Sequence, residues 1–171
     1  MENLFEKGCL VQVSASVWRA ARKIKPEQLS EVAVSHEWFS ATKKLVDPDS
    51  LKPINSVVNF ARSYLSGVSL PFPIQGMVFV PKEMISRVDG RLEGFKGEFN
   101  NTVEEFLGDY DQLREVASVQ LGELFNEMDY PVDVRSKFAF LWRFIILDVP
   151  NGKAGILDPE VYEREKDKFI R

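Results

Sequence analysis

Residues 81–129, PKEMISRVDGRLEGFKGEFNNTVEEFLGDYDQLREVASVQLGELFNEMD, contain the strongest regular pattern in the chain. Apolar residues recur from Ile85 to Met128 in twelve steps over 43 residues, or about 3.6 residues per step, which is the period of a straight α-helix. The apolar positions are Ile85, Val88, Leu92, Phe95, Phe99, Val103, Phe106, Tyr110, Leu113, Ala117, Leu121, Leu124 and Met128. The pattern predicts one long amphipathic helix over about residues 82–129.

A helix of this length would extend for roughly 70 Å, more than a small domain can cover by itself. We therefore expect either a helical hairpin or a coiled coil, or a stripe that packs on a second helix and on another chain. Five glycines, Gly90, Gly94, Gly97, Gly108 and Gly122, each cost about 1 kcal/mol in a helix interior. Gly90, Gly94 and Gly97 share one side of the helix, which indicates a solvent-facing side, a local break, or a smooth side that lets a partner approach closely.

The flanking segments predict a shorter helix and a small sheet. Asp47 or Asp49 can cap the shorter helix, and Gly67 with the following prolines can end it. Its apolar face is Leu51, Ile54, Val57, Val58, Ala61 and Leu65. Strands are predicted at about residues 9–17, 75–80 and 137–147, with 137–147 as a central strand that pairs with 9–17 and has 75–80 as an optional second neighbour.

Two further segments have helical features. Trp18, Ala21 and Ile24 recur at helical spacing, and Pro26 begins a short helical turn. A polar C-terminal helix is predicted after Asp158. The sequence thus predicts an α+β, mainly α, single domain over residues 1–171. In this fold a shorter helix packs on the long helix beside a sheet of two or three strands.

Composition favours a soluble, cytoplasmic protein. With 171 residues and 44% hydrophobic composition, the chain can bury a core of its own. The single cysteine excludes an intramolecular disulfide and indicates a reducing compartment. The start of the chain is acidic where a signal peptide is basic, and no apolar run approaches the roughly 20 residues of a membrane span.

No residue pattern indicates catalysis, a metal or a cofactor. His36 is the only histidine, which excludes multi-histidine metal sites, and no G-x-S-x-G motif accompanies it. Cys9 opens a predicted buried strand, where a thiol is usually structural. The acids around Glu104 and Asp109 match neither the calcium-loop pattern nor the di-iron pattern. We expect a protein that is not an enzyme.

Charge is distributed unevenly along the chain. Residues 98–129 contain nine acids and one base, Arg114, so this stretch is either an ordinary solvated surface or one that favours a basic protein partner. The predicted partner-binding residues on the long helix are Phe99, Glu104, Glu105, Phe106 and Asp109. Although the net charge of −4 does not favour general binding of nucleic acid, a cationic cluster beside Trp18 supports it as the alternative. This cluster is Arg19, Arg22, Lys23 and Lys25, with Lys43 and Lys44 further along the chain.

The order of segments resembles a bacterial and phage family called domain of unknown function 3150. The resemblance rests on ATKKLVDPDSLKPINSVVNFARSYL, GMVFVPKE, EFNNTVEEFLGDYDQL and the flanking LVQVSASVWRAARKIKPEQL and KFAFLWRFIIL. Genes of that family commonly lie beside those for a MoxR-type AAA+ ATPase and a von Willebrand A protein. The resemblance therefore implies a non-enzymatic adaptor of an ATPase-driven remodelling system, acting on a protein partner or through self-association. The alternative is a nucleic-acid-binding accessory protein of a phage or mobile element.

Overall fold

The computed structural model describes residues 7–24 and 41–146, which contain two α-helices and six β-strands. In chain order they are β1 (Gly8–Ser16), β2 (Ala21–Lys23), β3 (Thr42–Lys44), α1 (Lys52–Val68), β4 (Leu70–Pro71), β5 (Met77–Pro81), α2 (Ile85–Leu121) and β6 (Ala139–Ile145). Short 3-10 turns precede both helices and recur between α2 and β6. Neither helix in these ranges has the length and apolarity that crossing a bilayer requires.

The main sheet has four antiparallel strands in the order β4-β5-β1-β6, and β2 and β3 form a separate two-stranded ribbon. The prediction of a mainly helical fold with a sheet of two or three strands was therefore wrong. The missed strands are only two or three residues long, and β4 contains a proline. Alternation over so few residues leaves no readable pattern in the sequence.

The predicted pairing of residues 137–147 with 9–17 is confirmed, since β6 pairs with β1 from Ala139↔Ser16 to Ile145↔Leu10. The predicted strand at 75–80 is also present as β5, which pairs with the other edge of β1. The central strand is β1, however, and within the described ranges β6 lies at the edge of the sheet. The apolar run of β6 is typical of a strand that is buried on both faces, which is why it was predicted to be central. In the structure its outer face is open, since Leu141 is 54% exposed.

Helix α2 is continuous over 37 residues and does not fold back into a hairpin. It ends at Leu121 rather than near 129, because Gly122 has a φ of +51°, a conformation that glycine adopts readily and that terminates helices. Beyond it, Met128 continues the helical spacing of apolar residues but is 88% exposed. The helical spacing of apolar residues therefore continues beyond the C-terminal end of the helix.

The inner face of the sheet covers the apolar stripe of α2. Alternate residues of the β6 region, Phe138, Phe140, Trp142 and Phe144, pack into the core. The Phe99 and Phe140 ring centres are 5.7 Å apart, and those of Phe106 and Phe138 are 5.6 Å apart. The indole N–H of Trp142 donates to the Asp89 carboxylate at 2.9 Å, which ties the strand to the helix. The stripe is therefore covered by the chain's own sheet.

Helix α1 packs against the other side of the stripe, with Tyr64 and Phe95 ring centres 6.0 Å apart. Its predicted apolar face is confirmed, because Leu51, Ile54, Val58, Ala61 and Leu65 are buried and Val57 is partly buried. Asp47 caps the 3-10 turn Pro48–Leu51 that leads into the helix, accepting from the backbone N–H of Asp49.

The helical spacing of Trp18, Ala21 and Ile24 does not produce a helix. Ala20 has a φ of +45°, an unfavourable value for a residue with a side chain, and turns the chain from β1 into β2. The carbonyl of Ala20 then accepts from the backbone N–H of Leu45 at 2.8 Å. The helical turn predicted after Pro26 and the C-terminal helix after Asp158 lie outside the described residues.

Replacing Phe99 by alanine tests this packing, because the ring is 1% exposed. We expect the free energy of unfolding, measured by urea denaturation, to fall by about 3–5 kcal/mol. Phe60→Ala on α1 is the matched control, since Phe60 is 63% exposed and its loss should change stability by less than about 0.5 kcal/mol. Equal effects of the two substitutions would contradict the assigned core.

Candidate partner-binding cleft

A cleft of about 680 Å³ separates the C-terminal half of α2 from the segment that returns toward β6. We call this returning segment, residues 127–135, the return segment. The helix supplies Leu107, Tyr110, Asp111 and Arg114, and the return segment supplies Glu127, Tyr130, Pro131, Val132, Asp133, Val134 and Arg135. The cleft therefore has an aromatic and apolar floor with charged groups around it.

The helical repeat and the turn at Gly122 together create this cleft. Residues three and four apart share one side of a helix, so Leu107, Tyr110 and Arg114 project toward the same neighbour. The positive φ of Gly122 then ends α2 and reverses the chain. Across the cleft, the Arg135 guanidinium forms an ion pair with the Glu104 carboxylate and holds the far end of the return segment to the helix.

Lys43 of β3 anchors the other end of the return segment. Its side chain is only 4% exposed, and its ammonium donates to the Leu124 carbonyl at 2.5 Å and pairs with the Asp129 carboxylate at 2.6 Å. The Tyr130 hydroxyl donates to the carbonyl of Leu45 at 2.7 Å. A buried ammonium is tolerated because it has both an opposite charge and an acceptor. The return segment is thus fixed to the ribbon as well as to α2.

Arg114 lies between two tyrosine rings in the cleft. Its guanidinium carbon is 5.1 Å from the Tyr130 ring centre and 5.9 Å from that of Tyr110, and one nitrogen is 3.5 Å from the Glu127 carboxylate. Burial raises the pKa of both tyrosine hydroxyls, and the charge of Arg114 opposes that rise. The Tyr110 hydroxyl and Arg114 Nε are buried and have no hydrogen-bond partner among the described residues, which costs stability. Both groups beside the cleft can therefore still form a hydrogen bond.

The edge of the cleft presents apolar and acidic groups to solvent. Val132 is fully exposed, as is most of Met128 in the same return segment. Asp111 and Asp133 are exposed nearby, whereas the charge of Arg135 is matched by Glu104. Since the available charge at the edge is negative, the arrangement suits a segment with an apolar side chain and a lysine or arginine.

The partner-binding residues predicted from the sequence do not form one surface in the structure. Phe99 and Phe106 are core residues at 1% and 5% exposure, so a partner cannot contact them on the folded surface. Glu104 is engaged with Arg135 at the cleft. Glu105 and Asp109 are exposed, but Asp109 lies two residues before Asp111, a rotation of roughly 200° around the helix, and so does not line the cleft.

The predicted cationic cluster is exposed where it is described. Arg19, Arg22 and Lys23 are all exposed, while Lys25 lies outside the described residues. Lys44 is also exposed, in contrast to its neighbour Lys43. In the β2–β3 ribbon, Lys23 and Lys44 share one face, whereas Arg22 pairs with Lys43 on the opposite face.

Of the residues weighed for catalysis, Cys9 does not line the cleft. Cys9 is buried in β1, where burial raises the pKa of its thiol and disfavours the reactive thiolate. His36 lies outside the described residues. Among residues 7–24 and 41–146, no group of three or more histidine, cysteine, aspartate or glutamate side chains is placed to hold a metal ion.

The cleft itself was missed in the sequence because its two walls are separated by the turn at Gly122. The spacing of Tyr110 and Arg114, four residues apart on one helical side, is the only local signal we can identify. Nothing in the sequence pattern indicates that Tyr130 would contact the same guanidinium.

Two tyrosines of the cleft provide a matched test of its hydrogen bonding. Tyr130→Phe removes the donor to the buried Leu45 carbonyl, so we expect a loss of about 1–3 kcal/mol in the free energy of unfolding. Tyr110→Phe removes a hydroxyl that has no partner and should be neutral or slightly stabilising. Chemical denaturation of both variants makes the comparison, and an equal loss from Tyr110→Phe would contradict the geometry of the cleft.

Comparison with known proteins assigns the family. Neither the curated proteins nor the solved structures contain a match to the chain. The family model described as "Protein of unknown function (DUF3150)" matches residues 5–163, which is most of the sequence. The chain therefore belongs to the DUF3150 family.

Proposed function

We propose that this chain is a non-enzymatic adaptor that holds a segment of a partner protein in the cleft between α2 and the return segment. The observation that carries the proposal is the fully exposed Val132 at the edge of an open cleft of about 680 Å³ with a tyrosine floor. Exposed apolar groups around an aromatic-lined depression are typical of protein-binding surfaces. A partner side chain would remove Val132 from water while its charged neighbours remained at the edge.

The charges of the cleft lining support binding of a basic protein segment. Its arginines are engaged with carboxylates, Arg114 with Glu127 and Arg135 with Glu104. Asp111 and Asp133 then leave a negative edge, which is complementary to a lysine or arginine of the partner.

The class of partner that we propose is an AAA+ ATPase. This part of the proposal rests on the family resemblance, since genes of this kind commonly lie beside those of MoxR-type ATPases in bacteria and phages. An adaptor needs a rigid surface that presents the ATPase with a fixed orientation. The ion pairs of the return segment with Glu104 and Lys43, and its hydrogen bond to the Leu45 carbonyl, supply that rigidity.

Two exposed valines allow a matched test. Val132→Glu adds charge beside Asp111 and Asp133 and removes the apolar contact, whereas Val119→Glu makes the same change on α2 at a residue that is 79% exposed and does not line the cleft. After affinity purification of the tagged chain from its host, we expect the ATPase to accompany wild type and Val119→Glu. Its recovery with Val132→Glu should fall by about tenfold or more, as a loss of roughly 1.4 kcal/mol implies.

A second pair separates the cleft from the acidic side of α2. Asp111→Lys should weaken recovery of the partner, while Asp109→Lys, the same change on another side of the helix, should not. Equal recovery with all four variants would contradict the cleft as the binding site. Recovery of only further copies of this chain would replace the ATPase by self-association.

A further inference from the structure

A second surface feature, separate from the cleft, is lined by Trp18. A groove of about 370 Å³ runs between residues 17–21 and the start of α1. Its lining includes Trp18, Arg19, Lys44 and Asn55. Trp18 packs edge-on against Phe106 and Tyr110, so the core holds the indole in place as one wall of the groove.

Four exposed cations surround this groove and its adjoining ribbon: Arg19, Arg22, Lys23 and Lys44. None of the four makes an ion pair or a hydrogen bond through its side chain in the part of the chain that the structure describes. Lys43, by contrast, uses its charge internally on Asp129. Exposed cations that have no partner among the described residues can meet an external polyanion.

The local field is positive even though the whole chain has a net charge of −4. Residues 7–24 and 41–46 contain no aspartate or glutamate. Residues 25–40 add three glutamates, Glu27, Glu31 and Glu37, so residues 7–46 contain seven lysines and arginines against three acids. Of the acids that follow, Asp49 pairs with Lys52 at 2.8 Å, and Asp47 accepts from the backbone N–H of Asp49. The excess acid of the protein lies instead along α2, in residues 98–129.

Strand register places two of the cations together. In the ribbon, Ala21 pairs with Lys44 and Lys23 pairs with Thr42, so all four side chains belong to one face. Lys23 and Lys44 are diagonal neighbours on that face, a separation of roughly 7–8 Å between backbone positions. The positive φ of Ala20 sets the direction of the ribbon and brings Arg19 into the groove beside Lys44.

We propose that the ribbon and groove bind the phosphate backbone of single-stranded nucleic acid, an activity separate from the protein binding of the cleft. Arg19, Lys23 and Lys44 neutralise phosphates, and release of condensed counterions drives the association. The fixed indole of Trp18 beside Arg19 provides an aromatic surface for an unpaired base. A duplex keeps its bases stacked within the helix and cannot use that surface, which is why a single strand is the expected ligand.

Fluorescence anisotropy with a labelled single-stranded oligonucleotide and the full chain tests the proposal. Neutralising three phosphates on a single strand predicts a slope of about −2.1 in log affinity against log salt, or about a 20-fold loss between 50 and 200 mM salt. Substituting alanine for Arg19, Lys23 and Lys44 together should remove binding. All three side chains are exposed, so circular dichroism should show an unchanged fold.

The matched control replaces three other exposed cations, Arg62, Lys82 and Arg87, and changes the net charge by the same amount. Full binding by this control supports a localised site. An equal loss from both triple variants, or no measurable binding of wild type at 50 mM salt, would overturn the proposal. Equal affinity for a duplex of the same sequence would overturn the single-strand assignment. Binding of an acidic polypeptide in place of the oligonucleotide would assign the ribbon to a protein ligand and also overturn it.

Discussion

The packing of α2 against the inner face of the sheet is the interaction on which the rest of the structure depends. A helix of 37 residues has an apolar stripe about 50 Å long, and leaving it in water would be unfavourable along its whole length. The alternate aromatic side chains of the β6 region cover its middle, and α1 covers its flank. The stripe that suggested a partner is therefore the centre of the chain's own core.

This packing also determines where candidate binding sites can lie on the surface. The sheet and α1 occupy the buried side of α2, so the candidate sites lie where the sheet ends. There, Trp18 and Tyr110 pack with ring centres 6.0 Å apart. Tyr110 lines the cleft and Trp18 lines the groove, so one aromatic contact forms the wall between the two candidate sites. The buried Lys43 ties the same region together through Asp129 and Leu124.

Sequence patterns predicted the elements with a long period and missed those that depend on tertiary contacts. The 3.6-residue repeat identified α2 and the core phenylalanines, but it could not show whether this chain or another covered them. Gly122 was recognised as unfavourable in a helix, yet its role as a terminator depends on its positive φ. The segment at Trp18 had helical spacing, although the turn at Ala20 and the pairing with β3 make it a ribbon. The cleft joins residues on either side of that glycine turn, and nothing in the local sequence of Tyr130 places it against Arg114.

Native-state hydrogen exchange of the α2 amides tests the central claim, that this chain covers its own long helix. At low protein concentration, we predict that amides from Val88 to Phe106 exchange only through global unfolding, with the same free energy as those of β1. Their protection should not change when the protein is diluted. Fast exchange over this stretch, or protection that appears only at high concentration, would show that another chain is needed to cover the stripe and would contradict the account.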